Sequence, residues 1–277
     1  MATQKIHFFT GKGGVGKSVV SAGYAWSKAR RCKQNILLTE LSDDSTFKDN
    51  LKPQKIAKNL TISHWNAYSC LEEYASSLLR SSALSKLFLN NAISKALINV
   101  APGLEELAIL GKATSTPRNH GPQMNYDEIF IDAFSTGHFL NLMQAPQAFA
   151  EIFSFGPMAT QSQSIDQWIK DPDFSHIHIV TNSDELSIRE CVELHRSLSE
   201  IGLSSHFIFN KFVDTENIVF KKLPEKTRAF FQNIHHQQVE ALADLKKTKA
   251  AIEFIPHIFE NDFFSVVEKI SKIHEVP

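Results

Sequence analysis

The stretch TGKGGVGKSVVS, residues 10–21, decides the fold. It fits G-x-x-x-x-G-K-[ST], with Gly11 and Gly16 at the fixed glycine positions and Lys17 and Ser18 closing the pattern. Successive backbone N–H groups must curl around a phosphate here, and side chains at Gly13, Gly14 or Gly16 would block that approach. An apolar run, IHFF, precedes the loop, and a proline-free segment, KSVVSAGYAWSKARR, follows it. Strand, loop and helix come in the order that aims a helix N-terminus, about half a positive charge, at the anion. The cradle runs from Gly11 through Gly13, Gly14, Val15 and Gly16 to Val19. Lys17 reaches the β- and γ-phosphates of a nucleotide, and the Ser18 hydroxyl reaches Mg²⁺. Lys12 is a second lysine, one that the pattern does not require.

The chain has 277 residues, is 43% hydrophobic and 21% charged, and carries a formal net charge of -1. That is enough for one large α/β domain, residues 1–277, burying roughly three quarters of its unfolded surface. Near-neutral charge without a basic cluster argues against nucleic acid as a partner. The N-terminus has no apolar core of signal-peptide length, and no apolar run reaches the roughly 18 residues of a membrane span, so a cytoplasmic location is expected. Cys32, Cys70 and Cys191 are far apart and form no C-x-x-C pair, which leaves a zinc site or a disulfide framework unsupported. The twelve histidines lack partners at metal-ligand spacing and read as structural or solvated.

KIHFF, NILLTE, LTISHW, EIFIDA, HIHIVTN, SHFIFN and AIEFIP read as strands, separated by amphipathic segments such as ELSIRECVELHRSLSEIG. Alternation of this kind predicts a doubly wound, mostly parallel sheet of about seven or eight strands, with a helical elaboration over about 71–110. A second site component is EIFIDAFSTGHFL, residues 128–140. Its apolar run ends in Asp132, placed to hold Mg²⁺ through water; a helix N-cap or turn residue is the alternative. Ser135, Thr136 and Gly137 form a polar turn within reach of a γ-phosphate.

GKGGVGKS, with a lysine directly after its first glycine, resembles the deviant phosphate loop of the MinD/ParA/nitrogenase-iron-protein class. DAFSTGHFL resembles the DTAPTGHTL segment of arsenite-pump ATPases (ArsA) and of their relatives that target tail-anchored membrane proteins. PGLEEL (102–107), VTNSDELSIRE (180–190) and FIFNK (207–211) fall in the family's order, and LEEY (71–74) and the closing IEFIPHIF fit it too. The resemblance implies an ATP-hydrolysing enzyme dependent on Mg²⁺, working as a homodimer or as a heterodimer with a related subunit. It also implies a membrane-protein client or a transporter partner, and a peripheral position at the membrane. Lys12 takes the role of a charge reaching across the dimer interface to the other subunit's nucleotide, whereas by spacing alone it is an ordinary loop lysine. Asn210 matches the family asparagine that reads the adenine edge, with Pro256 and His257 opening the loop on its other side. A strand-end turn is the competing role for Asn210.

The sequence also departs from that family. Ser42 stands where the family has its water-orienting aspartate, leaving Asp43 or Asp44, just downstream, to place the water. Phe134 and Ser135 replace the usual pair in the second switch, and the metalloid- or zinc-binding cysteines have no counterpart. Two other functions remain open. One is a MinD/ParA-like positioning ATPase whose C-terminal DFFSVVEKISKI lays Phe263, Val267 and Ile270 on lipid instead of packing on the sheet. The other is a slow-turnover nucleotide-binding scaffold. The apolar residues from Leu78 to Ile98, at helical spacings, either pack on the domain or line a client groove.

Overall fold

Seven strands, β1 (Lys5–Thr10), β2 (Ile36–Glu40), β3 (Leu60–His64), β4 (Glu128–Asp132), β5 (Ser175–Thr181), β6 (Ser205–Phe212) and β7 (Ile252–Pro256), form one sheet of order β3-β2-β4-β1-β5-β6-β7. Every pairing is parallel. The computed structural model describes residues 4–41, 46–47, 58–79, 103–152, 155–215 and 224–273. All seven apolar runs of the sequence are strands of this sheet. They read as near-continuous apolar runs because a parallel sheet is covered on both faces, and β2 and β4 are buried along their whole length.

The described helices are α1 (Lys17–Arg31), α2 (Ala67–Leu79), α3 (Leu104–Ala113), α4 (Ser115–Arg118), α5 (Thr136–Ile152), α6 (Pro157–Lys170), α7 (Glu185–Glu200), α8 (Glu225–Lys247) and α9 (Phe263–Ile273). Side chains alternate between two cores. Ile6, Phe8, Phe139, Leu194 and Phe207 belong to one, beneath α2, α3 and α5 to α8. Phe9, Leu38, Phe130, Val267 and Ile270 belong to the other, beneath α1 and α9.

The apolar face of α9 is used inside the molecule: Val267 and Ile270 are buried, each contributing roughly 1.5–3 kcal/mol. A Cβ on Gly23 of α1 would lie 2.4 Å from Ile270 Cγ2, so glycine is what lets the two helices approach. The expected elaboration begins with α2 and ends with α3, and Leu84 to Ile98 lie outside the described residues.

From β1 the chain first adds strands on one side and then, from β5 onward, on the other. The carboxyl ends of β1, β4 and β5 therefore border the crevice at which open parallel sheets bind ligands.

Candidate functional site

The turn from β1 into α1 holds three glycines at positive φ, Gly11 (144°), Gly14 (84°) and Gly16 (98°). A Cβ on Gly11 would lie 2.1 Å from the Val180 carbonyl oxygen, and one on Gly16 would lie 2.5 Å from Asn210 Nδ2. Packing thus requires glycine at both positions. A Cβ on Gly13 would meet nothing within 4 Å, and the same holds for Gly14. At Gly13 neither packing nor a positive φ asks for glycine, and the open side of the loop is where a phosphate can approach. Val15 is buried behind the loop, with Val19 packed on the same core.

Lys17 Nζ donates to the carbonyls of Gly11 (3.1 Å) and Lys12 (3.2 Å). Burial holds its ammonium below the ordinary lysine range, and the Asp132 charge opposes that shift. The Ser18 hydroxyl stands near the Asp132 carboxyl and favours its charged form, and Asp132 is 8% exposed at the end of β4. Burial pushes the Asp132 carboxyl up to about 6, against the nearby Ser18 hydroxyl and the Lys17 charge. Asp132 Oδ1 has no partner among the described residues. An orphaned buried acceptor costs about 1–3 kcal/mol, more when charged, and a cation at this point relieves that cost.

Ser18 and Asp132 therefore fit Mg²⁺. Among the described residues no three His, Cys, Asp or Glu side chains are arranged to hold a metal alone, so phosphate oxygens would complete the shell.

Glu40 was missed by sequence reasoning. It ends β2 as Asp132 ends β4, the two are in register, and it is 1% exposed. In sequence it shows only that ILLTE, like EIFID, is an apolar strand closed by an acid, while the pairing of the two strands is seen in the fold. Asp43 and Asp44, with Ser42, lie outside the described residues.

The side chain of Lys12 reaches Asp184, Nζ to Oδ2 at 3.1 Å. Asp184 is also the N-cap of α7, accepting the Ser187 N–H at 3.0 Å. The Lys12 hydrogen bond, and after it the Ser187 N–H, hold the Asp184 carboxyl below its ordinary range.

Around the turn after β4, Thr136 Oγ1 donates to Glu190 Oε2 at 2.9 Å, and His138 Nε2 lies 3.8 Å from Glu106 Oε1. Three stretches far apart in sequence, PGLEEL, DAFSTGHFL and VTNSDELSIRE, thus meet at one end of the sheet. Gly137, in the first turn of α5, is exposed.

Asn210 is 5% exposed and turns toward the loop. Its Nδ2 donates to the Val15 carbonyl at 2.8 Å, and its Oδ1 accepts the Lys211 N–H at 2.9 Å. One amide hydrogen and one lone pair remain for a base. Pro256 ends β7, and the His257 N–H donates to the Phe212 carbonyl at 2.7 Å, which brings that loop beside the end of β6. A surface cleft of about 1680 Å³ between α7 and α8 borders this region through residues of VTNSDELSIRE, Asp184 among them.

Cys32, Cys70 and Cys191 are free thiols. No helix among the described residues is long and apolar enough to cross a membrane.

A family model described as anion-transporting ATPase matches residues 4–156. The arsenical pump-driving ATPase of Escherichia coli is 25% identical over 260 residues, covering 86% of this chain and 43% of that protein. Its counterpart in Acidiphilium multivorum is 24% identical with the same coverage. The ATPase BagA of Mycobacterium tuberculosis is 24% identical over 215 residues, 72% of this chain and 62% of that protein. The chain spans about two fifths of the length of the two pump ATPases.

Proposed function

This chain belongs to the anion-transporting ATPase family, and we propose from that premise that it hydrolyses ATP with Mg²⁺ as a dimer that closes on nucleotide. The observation that carries this reading is the buried Asp132 carboxyl, whose Oδ1 has no partner among the described residues, beside a loop open at Gly13 and Gly14. Gly11 to Val19 hold the phosphates through backbone N–H groups and the α1 N-terminus.

On binding, Lys17 exchanges its two loop carbonyls for β- and γ-phosphate oxygens. Ser18 and Asp132 would hold Mg²⁺, which when bound would supply charge neutralisation at those oxygens. Water attacks the γ-phosphorus in line, and the bond to the β–γ bridging oxygen breaks. Asp43 or Asp44 orients that water. Lys12 of a second subunit reaches the transferring phosphoryl group once it leaves Asp184. Asn210, Pro256 and His257 flank the adenine.

The Thr136–Glu190 bond supports a route from phosphate to α7, because a γ-phosphate at the turn after β4 competes for the Thr136 hydroxyl. Such a change of shape is what a membrane-protein client or a transporter partner would sense. The burial of Val267 and Ile270 against α1 weighs against a lipid-lying C-terminal helix.

The test is phosphate release from ATP by the purified protein, with Lys17→Ala as the control. Turnover in the wild type, lost in the variant, is expected, and turnover unchanged in Lys17→Ala contradicts the assignment of the loop.

A further inference from the structure

Two buried carboxylates end adjacent strands on the α1 face of the sheet, Glu40 on β2 and Asp132 on β4, paired in register. Backbone bonds fix both strand ends: the Leu41 N–H donates to the Asp132 carbonyl at 3.0 Å, joining β2 to β4, and the Trp65 N–H donates to the Glu40 carbonyl at 3.0 Å, joining β2 to the end of β3. The Glu40 carboxylate also gathers backbone donors, the Thr46 N–H at 2.8 Å and the Phe47 N–H at 3.4 Å. Phe47 is fully buried in the core beneath α1 and α9. The position therefore resists displacement.

Like charges at neighbouring strand ends repel in a poorly solvated setting, and the Glu40 charge is felt at Asp132. A divalent cation beside Asp132 turns that repulsion into attraction. Mg²⁺ binds through one or two carboxylates plus phosphate oxygens and keeps several waters, which lets a carboxylate act on it without direct contact.

We propose that Glu40 is a positioning residue of the phosphate site, the second carboxylate of an Asp132–Glu40 pair that couples nucleotide binding to Mg²⁺ and ties that pair to the chain at Thr46 and Phe47. The inference rests on the nucleotide reading above, and it gives the site an anionic group two residues before Ser42.

The sign of the effect separates this role from a purely structural one. Without Mg²⁺, the Glu40 charge opposes the phosphates; with Mg²⁺, it supports the complex. Binding of a fluorescent ATP analogue is titrated at a series of Mg²⁺ concentrations and in EDTA, for wild type, Glu40→Gln and Glu40→Asp. Glutamine keeps an acceptor for the Thr46 N–H and removes the charge.

Glu40→Gln is expected to raise the Mg²⁺ midpoint roughly three- to tenfold while binding the analogue in EDTA as tightly as wild type or tighter. Glu40→Asp keeps the charge and should hold its Mg²⁺ midpoint within about twofold of wild type, whatever the shorter reach does to Thr46. An unmoved midpoint in Glu40→Gln, or equal weakening with and without Mg²⁺, overturns the proposal. If Glu40→Gln does not fold, a Glu40→Asp midpoint displaced beyond that limit does the same. A wild-type protein that binds no analogue at any Mg²⁺ concentration overturns the nucleotide reading instead.

Discussion

Lys12 Nζ lies 3.1 Å from Asp184 Oδ2 within one chain, so the lysine assigned to a neighbouring subunit is held by the residue that caps α7. A trans role requires that this pair open when two subunits close. Both side chains are partly solvated, and such pairs contribute at most about 1 kcal/mol, which makes the contact a light restraint.

Asp184→Asn removes the charge but keeps a good N-cap acceptor for the Ser187 N–H. Its unfolding midpoint should stay within about 1 kcal/mol of wild type, while ATP-dependent association measured by sedimentation shifts to roughly two- to fivefold lower protein concentration. Association unchanged in Asp184→Asn would show that the pair does not restrain Lys12.

Gly13 and Gly16 should respond oppositely to alanine. Gly13→Ala meets no obstacle within 4 Å and should melt like wild type, yet lose nucleotide affinity by tenfold or more, on the order of one blocked phosphate contact. Gly16→Ala drives a Cβ to 2.5 Å from Asn210 Nδ2 at φ 98° and should destabilise the fold by roughly 1–3 kcal/mol. Thermal melts beside nucleotide titrations separate the two, and a destabilised Gly13→Ala would contradict the open-loop account.

Asn210→Ala leaves the Val15 carbonyl and the Lys211 N–H without their partner, at a cost of roughly 1–3 kcal/mol. If the amide also reads adenine, the variant loses preference for ATP over GTP. Equal weakening of both nucleotides in a competition titration would leave Asn210 as a brace of the loop alone.

Acid should weaken the fold through a row of imidazoles beneath α1. His7 stacks on His176 with ring centroids 4.8 Å apart, its Nδ1 lies 3.1 Å from His178 Nε2, and His178 meets His206 edge-on at 4.4 Å. Burial, then the charges of His7, Lys5 and His206, lower the His176 pKa to about 4, with Glu128 opposing. An unfolded histidine takes up its proton near pH 6.5, so between pH 6.5 and 4 His176 is protonated more in the unfolded chain than in the folded one. The stability that His176 contributes is therefore complete above pH 6.5 and falls as the pH drops toward 4. Urea midpoints should show this slope, flattened in His176→Gln, and an unchanged slope in that variant would remove His176 as its source.

The strands were legible because each is a short, largely apolar run, and the phosphate loop because its spacing is set by backbone geometry. What escaped the sequence depends on contacts across the chain. Asp184 is 172 residues from Lys12, and Asn210 is 195 from the Val15 carbonyl it holds. What sets Glu40 apart from Asp43 and Asp44 is the pairing of β2 with β4, which places a strand-end acid in register with Asp132. Nothing local to ILLTEL marks that neighbour.

The central claim, a nucleotide-closed dimer with Lys12 acting across the interface, is tested most directly by mixing two inactive variants. Lys12→Ala subunits keep a sound pocket but cannot serve a neighbour, and their turnover should fall by roughly 10²- to 10⁵-fold with ATP binding nearly intact. Lys17→Ala subunits keep Lys12 but have a broken pocket. A mixed dimer then has one pocket with both lysines, so ATP hydrolysis should reappear on mixing and rise with the fraction of mixed dimers counted by native mass spectrometry. Mixed dimers that form and stay silent, or a Lys12→Ala protein that hydrolyses ATP as fast as wild type, would contradict the account.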